Sequence, residues 1–484
     1  MRPRTQRRER RLPNHHRGGA AARQYRGGQD GEVTTSSPTP GSASGEPAAD
    51  LDRVVELCRD LIRIPSVNSG DGSGPGERLA AEYVATVLDG IGAAPRILES
   101  APGRANVLSR IEGNDRTRPP LLVHGHLDVV PADAADWAFP PFSGEIHDDQ
   151  VWGRGAVDMK NMDAIILASL ERLAARGERP ARDVVIAFTA DEEAGGVFGS
   201  HWLATEHRDA LADCSEAVGE VGGFSITVNA QRMYLIETAE KGIAWMRLVA
   251  DGTASHGSMR TDNNAVVHLA EAIARIGAHE WPVKLAPSVE RLLFEAAEVL
   301  SLPFDPRGSD AIEQAEAIVQ GLGAIGRMVG PTLKDSANPT MLSAGYKMNV
   351  IPGSANASVD GRFLPGRRDE FLATIDALLG PAVRRENEHD DISVETAFEG
   401  ELVDAIIASL QRHDPGARVV PYMLSGGTDA KAFSELGMRC FGFSPLKLPP
   451  DFDFAALFHG ADERVPVSAL HFGVDVFTDF LRTC

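Results

Sequence analysis

The tightest constraint on this fold is how its apolar runs end. Leu121-Leu122-Val123 leads into His124-Gly125-His126-Leu127-Asp128, and the run at 184–188 leads into Asp191-Glu192-Glu193. Both runs are short and continuously apolar, the pattern of a strand buried on both faces. Two more segments carry the same mixture of small residues with imidazole or carboxylate. They are Gly153-Arg154-Gly155-Ala156-Val157-Asp158-Met159-Lys160 and Phe458-His459-Gly460-Ala461-Asp462-Glu463. A helical pattern fills 161–175, with Ile165, Ile166, Leu167, Leu170 and Leu173 apolar. Strands alternating with helices predict an α/β unit with a mainly parallel sheet. Ligands in such sheets gather at the carboxyl ends of the strands, where these polar clusters sit.

The 484 residues are enough for two or three domains and a large core. The net charge of −21 is uneven. Residues 1–30 hold nine arginines against Glu9 and Asp30, a balance of +7, so the rest carries −28. An acidic body argues against nucleic acid as a partner, and no apolar run reaches the roughly 18 residues of a membrane span. Residues 1–50 lack apolar periodicity and read as a disordered basic tail. Without the apolar centre of a secretory signal, the expected location is the cytoplasm. Cys58, Cys214, Cys440 and Cys484 are scattered, as expected of reduced thiols rather than a disulfide framework.

Order is expected to begin near Leu51, with Asp50 capping a helix that carries Leu57, Leu61 and Ile62. Beyond Lys241 the pattern changes. Strands are expected at 244–249, 355–363 and 392–397, and helices at 265–276 and 370–379. Residues 240–398 thus read as an inserted α+β domain between two parts of the main one, 51–239 and 399–484. The stretch 280–340 has no clear pattern.

Two adjacent metal ions need His nitrogen, several carboxylate oxygens and one spare carboxylate for proton transfer, and the four segments supply that inventory. A carboxylate cluster ending a buried strand is costly unless paired or metal-bound. No Gly-x-Ser-x-Gly elbow follows a strand and no phosphate-binding Gly-Lys-Ser/Thr loop occurs, so serine-hydrolase and nucleotide chemistries have no support.

These motifs, in this order, resemble the superfamily of acetylornithine deacetylase, succinyl-diaminopimelate desuccinylase, carboxypeptidase G, aminoacylase and carnosine dipeptidase. The resemblance spans 51–484. It implies a zinc-exopeptidase-like α/β domain with an inserted lid and dimerisation domain. It places His126 and Glu220 on one zinc, Glu193 and His459 on the other, and Asp158 between them. Asp128 would hold His126 in its tautomer, and Glu192 would be the general base acting on a zinc-bridging water. The residues alone leave Glu216 and Asp213 as alternatives to Glu220, and His124 reads as structural. Cobalt or manganese also suits the donor set. The Asp158–Met159 peptide is expected to be cis.

On the substrate side, the resemblance implies that His256 reaches the active site of a second subunit in a homodimer and stabilises the oxyanion. Asn349 would bind the carbonyl oxygen, Arg362 a substrate carboxylate, and the Gly426-Gly427-Thr428 loop the substrate backbone. That loop is one residue shorter than the family's common form. The implied activity is hydrolysis of the amide bond of a small N-acyl amino acid or short peptide, with Glu220 pointing to the deacylase and carboxypeptidase branches. A dipeptidase or aminopeptidase of the same superfamily, or a catalytically silent metal-binding protein, is the alternative.

Overall fold

In the computed structural model, which describes residues 46–484, the two apolar runs are neighbouring strands. Leu121–His126 pairs in parallel with Val184–Thr189 on one side and Glu216–Gly219 on the other. Arg439–Gly442 continues the parallel run beyond Glu216–Gly219. Antiparallel strands extend both flanks of this ten-stranded sheet: Arg104–Ile111 and Arg96–Ala101 on one, Gln231–Glu240 and Phe224–Val228 on the other. Arg418–Leu424 pairs in parallel with Gln231–Glu240. The sheet is parallel at its centre, where the motif-bearing strands lie.

Both faces are covered, as a central parallel sheet requires. Val123, Ile186 and Val218 pack with helices Glu46–Ile62, Lys160–Ala175 and Val467–Thr483 through Leu61, Ile165 and Phe477. Their strand neighbours Leu122, Val185 and Ala217 pack the opposite way, against Leu203 and Phe433. This alternation explains why the runs are apolar at every position. The first helix starts at Glu46, so Asp50 lies inside it instead of capping it. Of the expected basic tail, residues 1–45 lie outside the described residues. All four cysteines are buried and unpaired. No helix among the described residues is long and apolar enough to cross a membrane.

A second sheet of four antiparallel strands runs Ser336–Ala344, Ser354–Phe363, Gly242–Asp251, Val383–Asp391. Helices Ala265–Gly277 and Arg368–Leu379 close its own core through Leu269, Phe371 and Ile375. The strand expected at 392–397 is displaced. Only Val394–Glu395 is extended there, and it joins the large sheet. The fourth strand of the small sheet is instead Val383–Asp391, whose run of charges hides it from a reading by apolar alternation. The unpatterned stretch contains helices Pro287–Leu300 and Ala311–Gly321. Their residues Leu293, Ala296 and Ile318 join the large core, not the small one.

Tight backbone crossings fix the strand ends. A Cβ on Gly222 would lie 1.9 Å from the Gly442 carbonyl oxygen. Gly222→Ala must push apart the segment that carries Glu220, and we expect a loss of about 1–3 kcal/mol, read as a lower urea-unfolding midpoint.

Candidate metal centre

His126 ends its strand fully buried. Its Nε2 lies 3.0 Å from Asp158 Oδ1 and 3.4 Å from Glu220 Oε2. His459 Nε2 lies 3.3 Å from Asp158 Oδ2 and 3.0 Å from Glu193 Oε2. The five side chains therefore form two groups of three that share Asp158: His126, Asp158, Glu220 and Asp158, Glu193, His459, each with donor atoms within 4.8 Å of one another. Glu192 belongs to neither group, although its Oε2 is 3.9 Å from His126 Nε2. The alternatives to Glu220 lie elsewhere, Glu216 paired with Arg182 and Asp213 with Arg110. His124 is buried against Phe433, and burial with the nearby His126 pushes its pKa down to about 3, so it is neutral. Its structural assignment fits this packing. The Asp158–Met159 peptide is cis.

A polar scaffold fixes these groups. Glu463, fully buried, accepts hydrogen bonds from the Val157 and Asp158 N–H groups at 2.6 and 3.0 Å and pairs with Arg154 at 2.7 Å. Asp191 and His459 both hold left-handed backbone, φ 68° and 57°. Such residues cluster where a side chain must be aimed. Asp128 is placed differently from expectation. The nearer partner of His126 Nδ1 is the Asp128 carbonyl oxygen at 3.0 Å, with the carboxylate at 3.6 Å. That carboxylate instead accepts the N–H groups of Glu192 and Glu193, each at 3.1 Å, and the Asn68 amide at 2.9 Å. Asn68 also donates to Asp191 and accepts from Arg104. Asn68 and Glu463 carry no metal-ligand signature of their own, so residue-type reasoning misses their roles.

The cluster holds more acids than imidazoles. Burial pushes Glu220 up to about 8, with Asp158 and Asp429 adding to the effect against His126. Burial and then Glu220 hold Glu192 well above the usual carboxylate range. Hydrogen bonds to Asp158 and Glu193 push His459 up to about 10. Carboxylates drawn toward neutrality beside imidazoles drawn toward the cation are what a divalent ion would reverse. The nitrogen and oxygen donors, with no sulfur among them, suit zinc, cobalt or manganese.

Beside the centre lies a cleft of about 230 Å³, lined by Glu192, Glu193, Arg362, Trp245, His389 and the Gly426–Asp429 loop, among others. Thr428 is tied to buried Glu240 through its N–H and its hydroxyl, at 3.0 and 2.6 Å. Arg362 reaches the cleft, but Asp360, two residues earlier on the same strand face, takes its Nε and one Nη at 2.7 and 3.1 Å. The aromatic pair Trp245 and His389, ring centroids 5.0 Å apart, was not anticipated and is contributed by the small sheet. His256 and Asn349 are not among the residues lining this cleft. They sit together where Ser255–His256 pairs with Val350–Ile351, both exposed, with Gly257 donating to the Asn349 carbonyl at 2.8 Å.

The model for Peptidase family M20/M25/M40 matches residues 122–483. The N-fatty-acyl-amino acid synthase/hydrolase of Xenopus tropicalis is 28% identical over 453 residues, spanning 89% of this chain and 85% of its own. An M20 family metallo-carboxypeptidase from Sulfolobus solfataricus has the same fold, with a TM-score of 0.68 at 20% identity over 89% of this chain and 99% of that one. A dinuclear metal-binding M20 peptidase from Bacillus subtilis aligns with a TM-score of 0.57 at 14% identity over 90% and 98%.

Removing one carboxylate oxygen from the Glu463 clamp sets a donor against either Arg154 or the two backbone N–H groups. Glu463→Gln should weaken metal binding about 10- to 100-fold in a folded protein, measured by competition with a chromophoric chelator alongside circular dichroism.

Proposed function

The chain belongs to Peptidase family M20/M25/M40, and from that premise we propose that it is a two-zinc deacylase cleaving the amide bond of N-acyl amino acids. It is an amidohydrolase, and the substrates of its family are N-acyl amino acids or peptides. The observation that carries the reading is the sharing of Asp158 between two donor groups while adjacent Glu192 stays outside both. His126 and Glu220 would hold one ion, Glu193 and His459 the other, and Asp158 both. When bound, such ions supply a water of lowered pKa and polarise the scissile carbonyl.

The chain's own groups do the rest. Glu192 takes the proton of the attacking water and delivers it to the leaving amine nitrogen. Asp128, through the N–H groups of residues 192 and 193, keeps the base and its neighbouring ligand in fixed relation. The Gly426-Gly427-Thr428 loop, pinned by Glu240 through the Thr428 N–H, offers the N–H groups of Gly426 and Gly427 to the substrate. Arg362 has donors beyond the two that Asp360 takes, and these serve the substrate carboxylate. The four buried, unpaired cysteines fit a reducing compartment, in keeping with a cytoplasmic enzyme.

His256 and Asn349 act on the cleft of a second copy. The supporting observation is the edge strand Ser336–Ala344 and the turn after it, where Met341, Leu342 and Tyr346 are 69%, 67% and 84% exposed. An unpaired strand edge carrying large apolar side chains is a surface for another chain.

Chelation should abolish hydrolysis of N-acyl amino acids, and zinc, cobalt or manganese should restore it. Activity surviving complete metal loss would sink the mechanism. Glu192→Ala should keep two metals per chain by elemental analysis and lose at least 10²-fold in kcat. Mixing inactive Glu192→Ala with inactive His256→Ala should return part of the activity, since one of the two composite sites is then intact. No recovery on mixing, with hetero-dimers verified, would argue against sites shared between subunits.

A further inference from the structure

The face that the small sheet turns toward the cleft is an ordered array. Strands Gly242–Asp251, Ser354–Phe363 and Val383–Asp391 pair so that Ile243 stands between Arg362 and Asp391, and Trp245 between Asp360 and His389. Residues two apart on a strand share a face. Ile243, Trp245, Arg362, His389 and Asp391 all line the same cleft as Glu192, Glu193 and His459, so this face is continuous with the metal centre.

The polar members of the array are largely engaged. Asp360 aims Arg362 along its strand through two hydrogen bonds. Asp391 accepts the Ile392 N–H at 2.7 Å and lies 3.7 Å from the buried Lys431 ammonium. Asp429, on the facing loop, accepts the Thr189 hydroxyl. What is left open is Ile243, the 40% exposed Trp245 and the His389 ring against it. Burial, partly opposed by Asp391, holds the His389 pKa below its ordinary value, so this ring is uncharged at neutral pH.

Two glycines of the large domain keep space beneath that surface. A Cβ on Gly195 would stand 3.5 Å from His389 Cε1, and one on Gly427 would stand 3.3 Å from Ile243 Cδ1. Distance along the sheet then decides what reaches the rings. Trp245 is the diagonal neighbour of Arg362, about 7–8 Å away. With a substrate carboxylate on Arg362, a methyl side chain on the adjoining α-carbon stops short of the indole. The side chain of leucine, methionine or phenylalanine spans to it.

We propose that Ile243, Trp245 and His389 form the subsite for the side chain of the amino-acid half, and that this subsite takes a large apolar or aromatic residue. This rests on the deacylase reading, in which Arg362 takes the substrate carboxylate, and names the amino acid released. An acidic side chain is disfavoured, because Glu192, Glu193, Asp391 and Asp429 line the same cleft. A basic one finds Asp391 and Asp429 already engaged.

The test is kcat/KM on N-acyl glycine, alanine, leucine, phenylalanine, glutamate and lysine, with the acyl group fixed by a screen of acetyl, succinyl and octanoyl forms. The leucine and phenylalanine substrates should exceed alanine by about tenfold or more, and glutamate and lysine should fall below alanine. Trp245→Ala should lower the phenylalanine-to-alanine ratio by about fivefold or more, mainly through KM, and Trp245→Phe should restore most of it. Trp245→Arg should raise the glutamate-to-phenylalanine ratio. Such ratios are independent of how much of a variant is folded. A flat profile, a preference for glycine, glutamate or lysine, or Trp245 variants with wild-type ratios, overturns the subsite. In each of those cases continued hydrolysis of N-acyl amino acids leaves the deacylase reading intact. Dipeptide cleavage with no turnover of any N-acyl amino acid overturns both.

Discussion

The rest of the structure is organised around a concentration of negative charge that water cannot screen. Asp158, Glu192, Glu193 and Glu220 converge on two imidazoles at the carboxyl ends of buried parallel strands. Isolated carboxylates in such a place would take up protons, and a pair of divalent ions is the simplest way to keep them ionised. The fold's task is then to hold acids closer together than they would choose. Parallel pairing does the first part, since Leu121–His126 and Val184–Thr189 run in register and so deliver His126 and the 191–193 turn to the same edge.

Hydrogen bonding does the second part. Two buried carboxylates outside the two donor groups are spent on backbone N–H groups: Asp128 on residues 192 and 193, Glu463 on residues 157 and 158. Each anchors the main chain beside a ligand, so ligand direction follows from rigid backbone and not from side-chain choice. Asn68 links Asp128 to Asp191, and Arg104 with Glu77 closes the network behind it. A network of this kind is favourable only when nearly complete, because each missing partner leaves a buried charge unmatched.

The segments that meet at the candidate metal centre and the central strands were legible because their residue types report their own environment: apolar runs mean burial, and clustered acids and imidazoles at their ends make a candidate cation site. Less legible was anything set by partners distant in sequence. Arg362 reads as a free fork until Asp360 is seen beside it on one strand face. Asp128 reads as a tautomer clamp for His126, yet its carboxylate turns to the 192–193 backbone. Val383–Asp391 carries too many charges to read as a strand, and pairing with Gly242–Asp251 decides the matter. The helices at 287–321 look like part of the insert by position, but Leu293 and Ile318 settle in the large core.

That last placement gives the centre two unlike sides. The cleft toward the small sheet carries Arg362 and His389 beside the acids Glu192, Glu193, Asp391 and Asp429. The groove toward the helical stretch mixes Phe224, Ile226 and Phe452 with Thr227, Asn229 and Asp453, and no lysine, arginine or histidine lines it. On the proposed deacylase reading, an amide with its amino half in the cleft would have its leaving nitrogen on the side where Glu192 lies. The proton that Glu192 would take from water would then have a short path to the departing amine.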